Sequence, residues 1–249
     1  MRVNDLTAQV KALAGASTAD LVAIAPGSAF SAEELGGLGS CFGPVRAVVV
    51  LAQHIVDPVL LIRYHSGGTY KDSRIAASFA DALLRDACWR AVEVLRDAGH
   101  RAVIPRNMRY GVDEPRHHIP YKKAAVLAGL GAIGRNNLLL HPQRGPWLML
   151  RTVLTDAALA PDARIDFPPC GDCERCIEAC PGGALSAGGF ERAKCEAFYA
   201  RVGASPSGAV RISPCGPINC EECMRACPIG VAPPRLGDGG KWDSSLGSE

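Results

Sequence analysis

The sequence predicts an α+β protein made of an α/β domain over residues 1–160 and a small cysteine-rich domain over residues 166–232, followed by a flexible tail over residues 233–249. Three observations support this division. Apolar residues follow helix and strand periodicities in turn along the first 160 residues. Nine of the eleven cysteines lie between Cys170 and Cys227. Periodicity stops between these two parts, in a proline-containing stretch at residues 157–169.

The predicted elements of the first domain follow from the spacing of its apolar residues. Residues 4–14 have helical spacing, and short apolar runs at 20–25, 46–52 and 58–62 predict buried strands. A long helix is predicted over residues 72–98, with an apolar stripe that includes Phe79, Leu83 and Cys88 and with Gly99 as its C-cap. A returning strand at 101–105, a helix at 122–127 and a strand at 147–154 complete an alternation of helices and strands that can bury its own core.

Composition and charge exclude several classes of protein. Lys and Arg number 27 against 25 Asp and Glu, and the resulting net charge of +2 argues against nucleic acid as the main partner. The apolar runs are far shorter than the ~20 residues that a membrane helix requires. Asp5 and Lys11 interrupt the N-terminal apolar residues, so no signal peptide is predicted. We therefore expect a cytoplasmic protein without a membrane partner, whose reduced thiols serve as metal ligands.

The cysteines form two related motifs. The first has the spacing of bacterial ferredoxins, in which three cysteines hold one cubane cluster and the fourth is a ligand of another: Cys170-x2-Cys173-x2-Cys176-x3-Cys180-Pro181. The second repeats the last three of those positions: Cys220-x2-Cys223-x3-Cys227-Pro228. Each iron of a cubane takes one soft thiolate, and x2 loops bring successive thiolates to one small volume. The motifs predict two 4Fe–4S clusters and assign seven of their eight ligands.

Zinc is the alternative metal, because paired Cys-x2-Cys segments also build four-cysteine zinc sites. Such sites need neither a third cysteine at x2 nor the x3-Cys-Pro ending, so the spacing favours clusters. The eighth ligand is either Cys195 or Cys215, which both lie between the two motifs. Cys88 falls on the apolar stripe of the long helix and is expected to be a buried small hydrophobe.

A glycine motif, Gly129-Leu-Gly131-Ala-Ile-Gly134, matches the G-x-G-x-x-G pattern of dinucleotide sites. Such a site requires a strand before the glycines and a helix after them. Here a helix is predicted before them and an extended segment after them, so nicotinamide binding is not expected. The glycines are instead predicted to form a tight turn where backbone approaches a ligand or a neighbouring helix. The cofactor contacts expected at this turn are Gly129, Gly131, Gly134, Arg135 and Asn136.

Several segments together resemble the superfamily of epoxyqueuosine reductases and reductive dehalogenases: the glycine turn, residues 136–145, residues 151–156 and the paired cysteine motifs. The resemblance, to a small member with two 4Fe–4S clusters, implies a nitroreductase-like α/β domain that binds cobalamin in its base-off form. It implies that the clusters pass electrons to the cobalt, which then reduces the substrate. It also implies that Cys195 is the eighth ligand, with Cys180 in the second cluster and Cys227 in the first.

The candidates for proton transfer lie just before the glycine turn. The acidic segment of epoxyqueuosine reductases has no aligned counterpart in residues 115–121, so the proton donor of that family is not carried over. A reduction needs a proton, and Tyr or His beside Lys can act as the acid, which makes Tyr121, His118 and Lys122 the candidates. The alternative is that these are solvated polar residues at a helix N-terminus. An Asp-x-His-x2-Gly motif is absent from the sequence, so backbone and surface shape would hold any corrinoid.

Two functions of different classes follow. The first is an iron–sulfur oxidoreductase whose two clusters pass electrons to a corrinoid, or another redox cofactor such as flavin, for reduction of a small substrate. The second is a ferredoxin-type electron-transfer protein that reduces the corrinoid or flavin of a partner redox protein. An electron donor such as ferredoxin or flavodoxin is expected in either case.

Overall fold

Four antiparallel strands form the central sheet of the protein, a computed structural model of which describes residues 2–13, 19–35, 42–55, 71–105, 119–201 and 222–230. The strands are β1 (Leu21–Pro26), β2 (Ala47–His54), β3 (Ala102–Val103) and β6 (Leu148–Thr155), in the order β1-β2-β6-β3. Val49 of β2 lies between Ile24 of β1 and Val153 of β6. The first six residues of β2 are all buried, which agrees with a continuous apolar run on a strand that is covered on both faces.

Helices cover both faces of this sheet. Helix α1 (Val3–Lys11) and the long helix α2 (Lys71–Asp97) pack on the face to which Val49 and Val153 point. Helix α3 (Tyr121–Leu127) packs on the opposite face, with Val48 and Leu154. The period-2 alternation of the strands therefore divides their apolar side chains between two separate clusters.

The buried face of α2 is narrower than the sequence predicts. Leu84, Cys88 and Leu95 are fully buried against the sheet, as expected. The prediction is wrong at Phe79 and Leu83, whose side chains are 67% and 39% exposed. Successive residues of an α-helix are rotated by about 100° around its axis. The side chains at these two positions therefore lie outside the helix face that contacts the sheet.

Gly99 ends α2 as predicted. It has φ +84°, and the amides of Gly99 and His100 donate to the carbonyls of Arg96 and Leu95. These are the two hydrogen bonds of a Schellman motif, in which a left-handed residue satisfies the last carbonyls of the helix.

The remaining elements are short. A hairpin of β4 (Ala132–Ile133) and β5 (Leu139–Leu140) follows α3, and no helix or strand lies between Thr155 and Arg175. The cysteine-bearing part then contains α4 (Arg175–Glu178), the hairpin of β7 (Leu185–Ser186) and β8 (Gly189–Phe190), α5 (Arg192–Arg201) and α6 (Glu222–Arg225). The break in regular structure falls where the sequence predicts a domain boundary, and the division itself stays a prediction.

Two sequence expectations fall on other parts of the chain. The strand predicted at 58–62 and the tail predicted at 233–249 lie outside the described residues. Within the described part of the chain, no helix combines the length and apolar character needed to cross a membrane.

Candidate metal centre

Four cysteine side chains from two distant segments line one cavity, whose space including its open mouth is about 280 Å³. Three belong to the first motif, and the fourth comes from the second: Cys170, Cys173, Cys176 and Cys227. The cavity is completed by Arg135, Asn136 and Leu140 from the hairpin region and by Pro169, Pro228 and Ile229. The chain therefore brings a three-plus-one set of soft ligands to one place.

Local backbone structure explains how the first motif converges. The amide of Cys173 donates to the carbonyl of Cys170 over 2.8 Å, and Gly171 between them has φ +48°, so the chain turns tightly after the first cysteine. Cys176 then lies on the single turn of α4. The fourth side chain is set by the end of α6, where the amide of Cys227 donates to the carbonyl of Met224 over 3.2 Å.

The thiols of the cavity are partly withdrawn from water. Cys176 and Cys227 are 8% and 6% exposed, and burial raises the pKa of both thiols. Cys170 and Cys227 raise the pKa of Cys176 further, and Cys170 and Cys173 raise that of Cys227, where a hydrogen bond from the Ile229 backbone opposes the rise. Since like charges oppose one another, four thiolates in this cavity need a bound cation to compensate them.

Residues just after the glycine motif contact both cysteine motifs. The main-chain amide of Arg135 donates to Cys170 Sγ over 3.3 Å, and its guanidinium donates to the carbonyl of Gly171 over 2.9 Å. The side-chain amide of Asn136 donates to the carbonyl of Cys223 over 3.4 Å. Two of the predicted cofactor contacts therefore face the cysteine segments.

The other cysteines are only partly described. The amide of Ala184 donates to Cys180 Sγ over 3.3 Å. A side chain on Gly182 would come within 2.8 Å of Phe198 Cβ, so α5, which carries Cys195, packs against the turn that follows Cys180. Cys215 and Cys220 lie outside the described residues. In the part of the chain that the structure describes, no three His, Cys, Asp or Glu side chains form a group suited to a single metal ion.

The glycine motif has the context predicted from the sequence. Helix α3 precedes it, and the strands β4 and β5 lie within and after it. A Cβ atom on Gly129 would lie 2.2 Å from the carbonyl oxygen of Ala163, and one on Gly131 would lie 2.1 Å from that of Leu140. One on Gly134 would lie 2.4 Å from the side chain of Leu140. The close approaches described at these glycines are to the protein itself, and contact with a cofactor stays a prediction.

Two of the three candidate proton donors can be placed. Tyr121 is the first residue of α3 and its hydroxyl oxygen is buried. The Lys122 ammonium donates to the carbonyl of Asn137, in the turn after the glycine motif. Neither side chain is therefore a freely solvated group at the start of a helix. His118 lies outside the described residues.

A polar cluster that the sequence analysis missed lies at the end of β2. The Asp20 carboxylate accepts hydrogen bonds from the His54 amide, at 2.7 Å, and from the Gln53 side chain, at 2.9 Å, and Arg144 approaches it at 3.5 Å. Burial, and then Arg144, lowers the pKa of both His54 and His141. No sequence spacing connects these residues, because the pairing of β1 with β2 brings Asp20 to His54 and the pairing of β2 with β6 brings the segment before β6 to the same place.

Part of the sequence is similar to that of known proteins. No protein-family model matches the chain. Epoxyqueuosine reductase of Staphylococcus aureus is 30% identical over 109 residues, and that of Bacillus anthracis is 33% identical over 103 residues. These segments amount to 43% and 41% of this chain but only 28% and 27% of the relatives. The matches thus span less than a third of each relative's length.

Solved structures of epoxyqueuosine reductases and of reductive dehalogenases share the fold. A catabolic reductive dehalogenase superposes with a TM-score of 0.64 and 22% identity over 91% of this chain and 32% of its own. Epoxyqueuosine reductase from Streptococcus thermophilus gives a TM-score of 0.58 and 17% identity, over 92% of this chain and 67% of its own. Another reductive dehalogenase structure, which suggests a mechanism for B12-dependent dehalogenation, superposes with a TM-score of 0.64 and 21% identity. At these identities the structural likeness concerns the fold.

Proposed function

We propose that the chain, a member of the superfamily of epoxyqueuosine reductases and reductive dehalogenases, is an iron–sulfur oxidoreductase with two 4Fe–4S clusters. The observation that supports this most directly is the cavity lined by four cysteines from two ferredoxin-like motifs. A cubane needs four thiolates on four separate irons, and a three-plus-one set drawn from two such motifs is the ligand pattern of two-cluster ferredoxins.

The eight proposed ligands divide into two sets. The set around the cavity is Cys170, Cys173, Cys176 and Cys227. The other set is Cys180, Cys195, Cys220 and Cys223. The packing of α5 against the turn after Cys180, and the contact between α4 and α6, support the second set.

These residues fit the clusters in chemistry as well as in number. The donors are soft sulfur atoms, and two of the described thiols already accept main-chain hydrogen bonds, Cys170 from Arg135 and Cys180 from Ala184. Bound clusters would supply one-electron transfer, which thiols alone do not. The polypeptide holds the ligands, provides N–H donors to sulfur and limits the access of water at Cys176 and Cys227.

The second part of the proposal concerns the cofactor that accepts electrons from the clusters. A corrinoid, or another redox cofactor such as flavin, is proposed to bind the part of the chain before residue 160. Tyr121, His118 and Lys122 are the proposed proton donors for the reduction. The fold shared with an enzyme of B12-dependent dehalogenation supports the corrinoid. The proposed substrate is a small molecule, and the proposed electron donor is a ferredoxin or flavodoxin.

A second candidate is an electron-transfer protein that reduces a partner's corrinoid or flavin. The contacts at the glycine motif favour this candidate, because Gly129 and Gly131 approach the protein's own backbone. The two candidates share the clusters and differ in whether this chain binds the organic cofactor.

Anaerobic reconstitution followed by metal analysis tests the cluster proposal. Roughly eight irons per chain and a magnetically coupled EPR signal after reduction are expected. Cys173→Ser should lose iron, whereas Cys88→Ser, the same exchange at a buried cysteine of the long helix, should not. Four irons in the unmodified protein, or stoichiometric zinc, would contradict the proposal.

Co-elution with added cobalamin or FMN then separates the two candidates. Retention of either cofactor by the reconstituted protein supports the oxidoreductase, and retention of neither supports the electron-transfer protein. An epoxyqueuosine reductase of this fold was solved with a tRNA-Tyr stem loop, so the same stem loop is included as a third ligand. Binding of the stem loop would replace the small-molecule substrate in the proposal.

A further inference from the structure

Arg135 is the one basic residue among the described residues that line the cysteine cavity. Its main-chain amide donates to Cys170 Sγ, and its guanidinium donates to the carbonyl of the next residue, Gly171. The guanidinium is thus hydrogen-bonded to the backbone of the loop that carries three of the four cavity cysteines.

The backbone around Arg135 is held in place by its neighbours. Asn136 is 5% exposed, accepts a hydrogen bond from the Leu138 amide over 3.1 Å and donates to the carbonyl of Cys223. Gly134, on the other side, has no room for a side chain because Leu140 lies against it. Arg135 therefore sits between two restrained residues, and its amide is directed at the sulfur of Cys170.

The charge of Arg135 has a definite effect on a cluster at this position. Four thiolates bring four negative charges, and reduction adds one electron without forming or breaking a bond at Arg135. A nearby cation stabilises the more negative, reduced state more than the oxidised state. Hydrogen bonds to the sulfurs and local charge are among the factors that set cluster potentials.

We propose that the charge of Arg135 raises the reduction potential of the cluster held by Cys170, Cys173, Cys176 and Cys227. This inference rests on the proposed function only for the presence of that cluster. It requires no bound corrinoid or substrate.

The test is a redox titration of the reconstituted protein with dithionite as the electron source, followed by EPR. Arg135→Gln removes the charge and should lower the equilibrium constant for reduction of one cluster by about tenfold, which is about 59 mV for a one-electron couple. The other cluster should keep its potential. Arg135→Lys keeps the charge and should shift the potential less than Arg135→Gln.

Arg90→Gln is the matched control, because it removes the same charge from an exposed ion pair on α2. Unchanged potentials in Arg135→Gln with eight irons bound, or an equal shift in Arg90→Gln, would overturn the proposal. If Arg135→Gln loses iron, Arg135→Lys decides: a potential like that of the unmodified protein supports the role of the charge, and a tenfold fall refutes it. Four irons in the unmodified protein, or stoichiometric zinc, would instead contradict the cluster proposal itself.

Discussion

Gly145 and Gly230 lie back to back, and neither position has room for a side chain. A Cβ atom on Gly145 would lie 2.0 Å from the carbonyl oxygen of Ile229, and one on Gly230 would lie 2.2 Å from the amide nitrogen of Gly145. Both residues have positive φ, +56° and +75°. Gly145 precedes β6, and Gly230 follows Cys227 by three residues, so this contact seats the second cysteine motif against the part of the chain that forms the sheet.

Gly230→Ala should therefore impair the metal centre. An added methyl group would meet backbone atoms, which cannot move aside as a flexible side chain can, and the shift would displace Cys227 from the cavity. We expect roughly half the iron of the unmodified protein and a lower melting temperature, measured by metal analysis and circular dichroism.

Gly183→Ala provides a close control for this substitution. Gly183 follows Cys180 by three residues, as Gly230 follows Cys227, and it has a similar φ of +58° with no atom within 4 Å of an added Cβ. Only the cost of the left-handed conformation, roughly 1–2 kcal/mol, should appear, with full iron content. Equal iron content in the two variants would show that the contact between Gly145 and Gly230 does not position Cys227.

Cys195 rather than Cys215 is expected to complete the second cluster. Cys195 lies on α5, which packs against the turn after Cys180. Cys195→Ser should halve the iron content or lower the potential of one cluster, whereas Cys215→Ser should leave both clusters intact. Metal analysis and EPR of the two variants check this, and loss of iron in Cys215→Ser alone would reverse the assignment.

The sequence predicted well those elements whose periodicity is long and regular. The runs of apolar residues in β2 and β6 and the repeated stripe of α2 reflect burial directly, and the left-handed turn at Gly99 follows from a residue that tolerates it. The exposure of Phe79 could not be predicted in this way. Which apolar residues of a long helix are covered depends on where the sheet lies, and spacing within the helix does not contain that information.

The candidate site was predictable in its local parts only. Cysteine spacing alone brings Cys170, Cys173 and Cys176 together, because they share one loop. Their meeting with Cys227, some fifty residues later, depends on tertiary contacts such as that of Gly145 with Ile229. The orientation of Arg135 towards Cys170 likewise required the structure, because the glycine motif by itself suggests a loop that approaches a cofactor.

A buried ion pair between α2 and β6 should be important for stability. Asp81 and Arg151 are 7% and 8% exposed, and Arg151 Nε donates to Asp81 Oδ1 over 2.8 Å. Asp81→Asn would leave the guanidinium buried without its counter-charge. The expected loss in the free energy of unfolding is about 3–5 kcal/mol, measured by urea denaturation.

Asp86→Asn is the matched control on the same helix. Asp86 pairs with Arg90 in an exposed i,i+4 arrangement, so the loss should be only about 0.3–0.5 kcal/mol. A similar small loss in Asp81→Asn would mean that water reaches Arg151 and replaces the carboxylate.

The histidines at the end of β2 should make the protein less stable in mild acid. Burial, and then Arg144, holds the pKa of His54 and His141 below the ordinary value of 6.5, although Asp20 partly opposes this at His54. In the unfolded chain both histidines take up protons near pH 6.5, whereas in the folded protein they do so only at lower pH. The unfolded state therefore binds more protons as the pH falls below 6.5, and folding stability decreases with it.

Melting temperatures between pH 7.5 and pH 5.5, with iron content checked at each pH, measure this effect. Each histidine can reduce the free energy of unfolding by up to about 1.4 kcal/mol per pH unit within the affected interval. Replacing both His54 and His141 by Gln should make the pH dependence shallower than in the unmodified protein, and Arg144→Gln should have a smaller effect in the same direction. A pH dependence that is unchanged in the double variant would show that these histidines take up protons equally easily in the folded and unfolded chain.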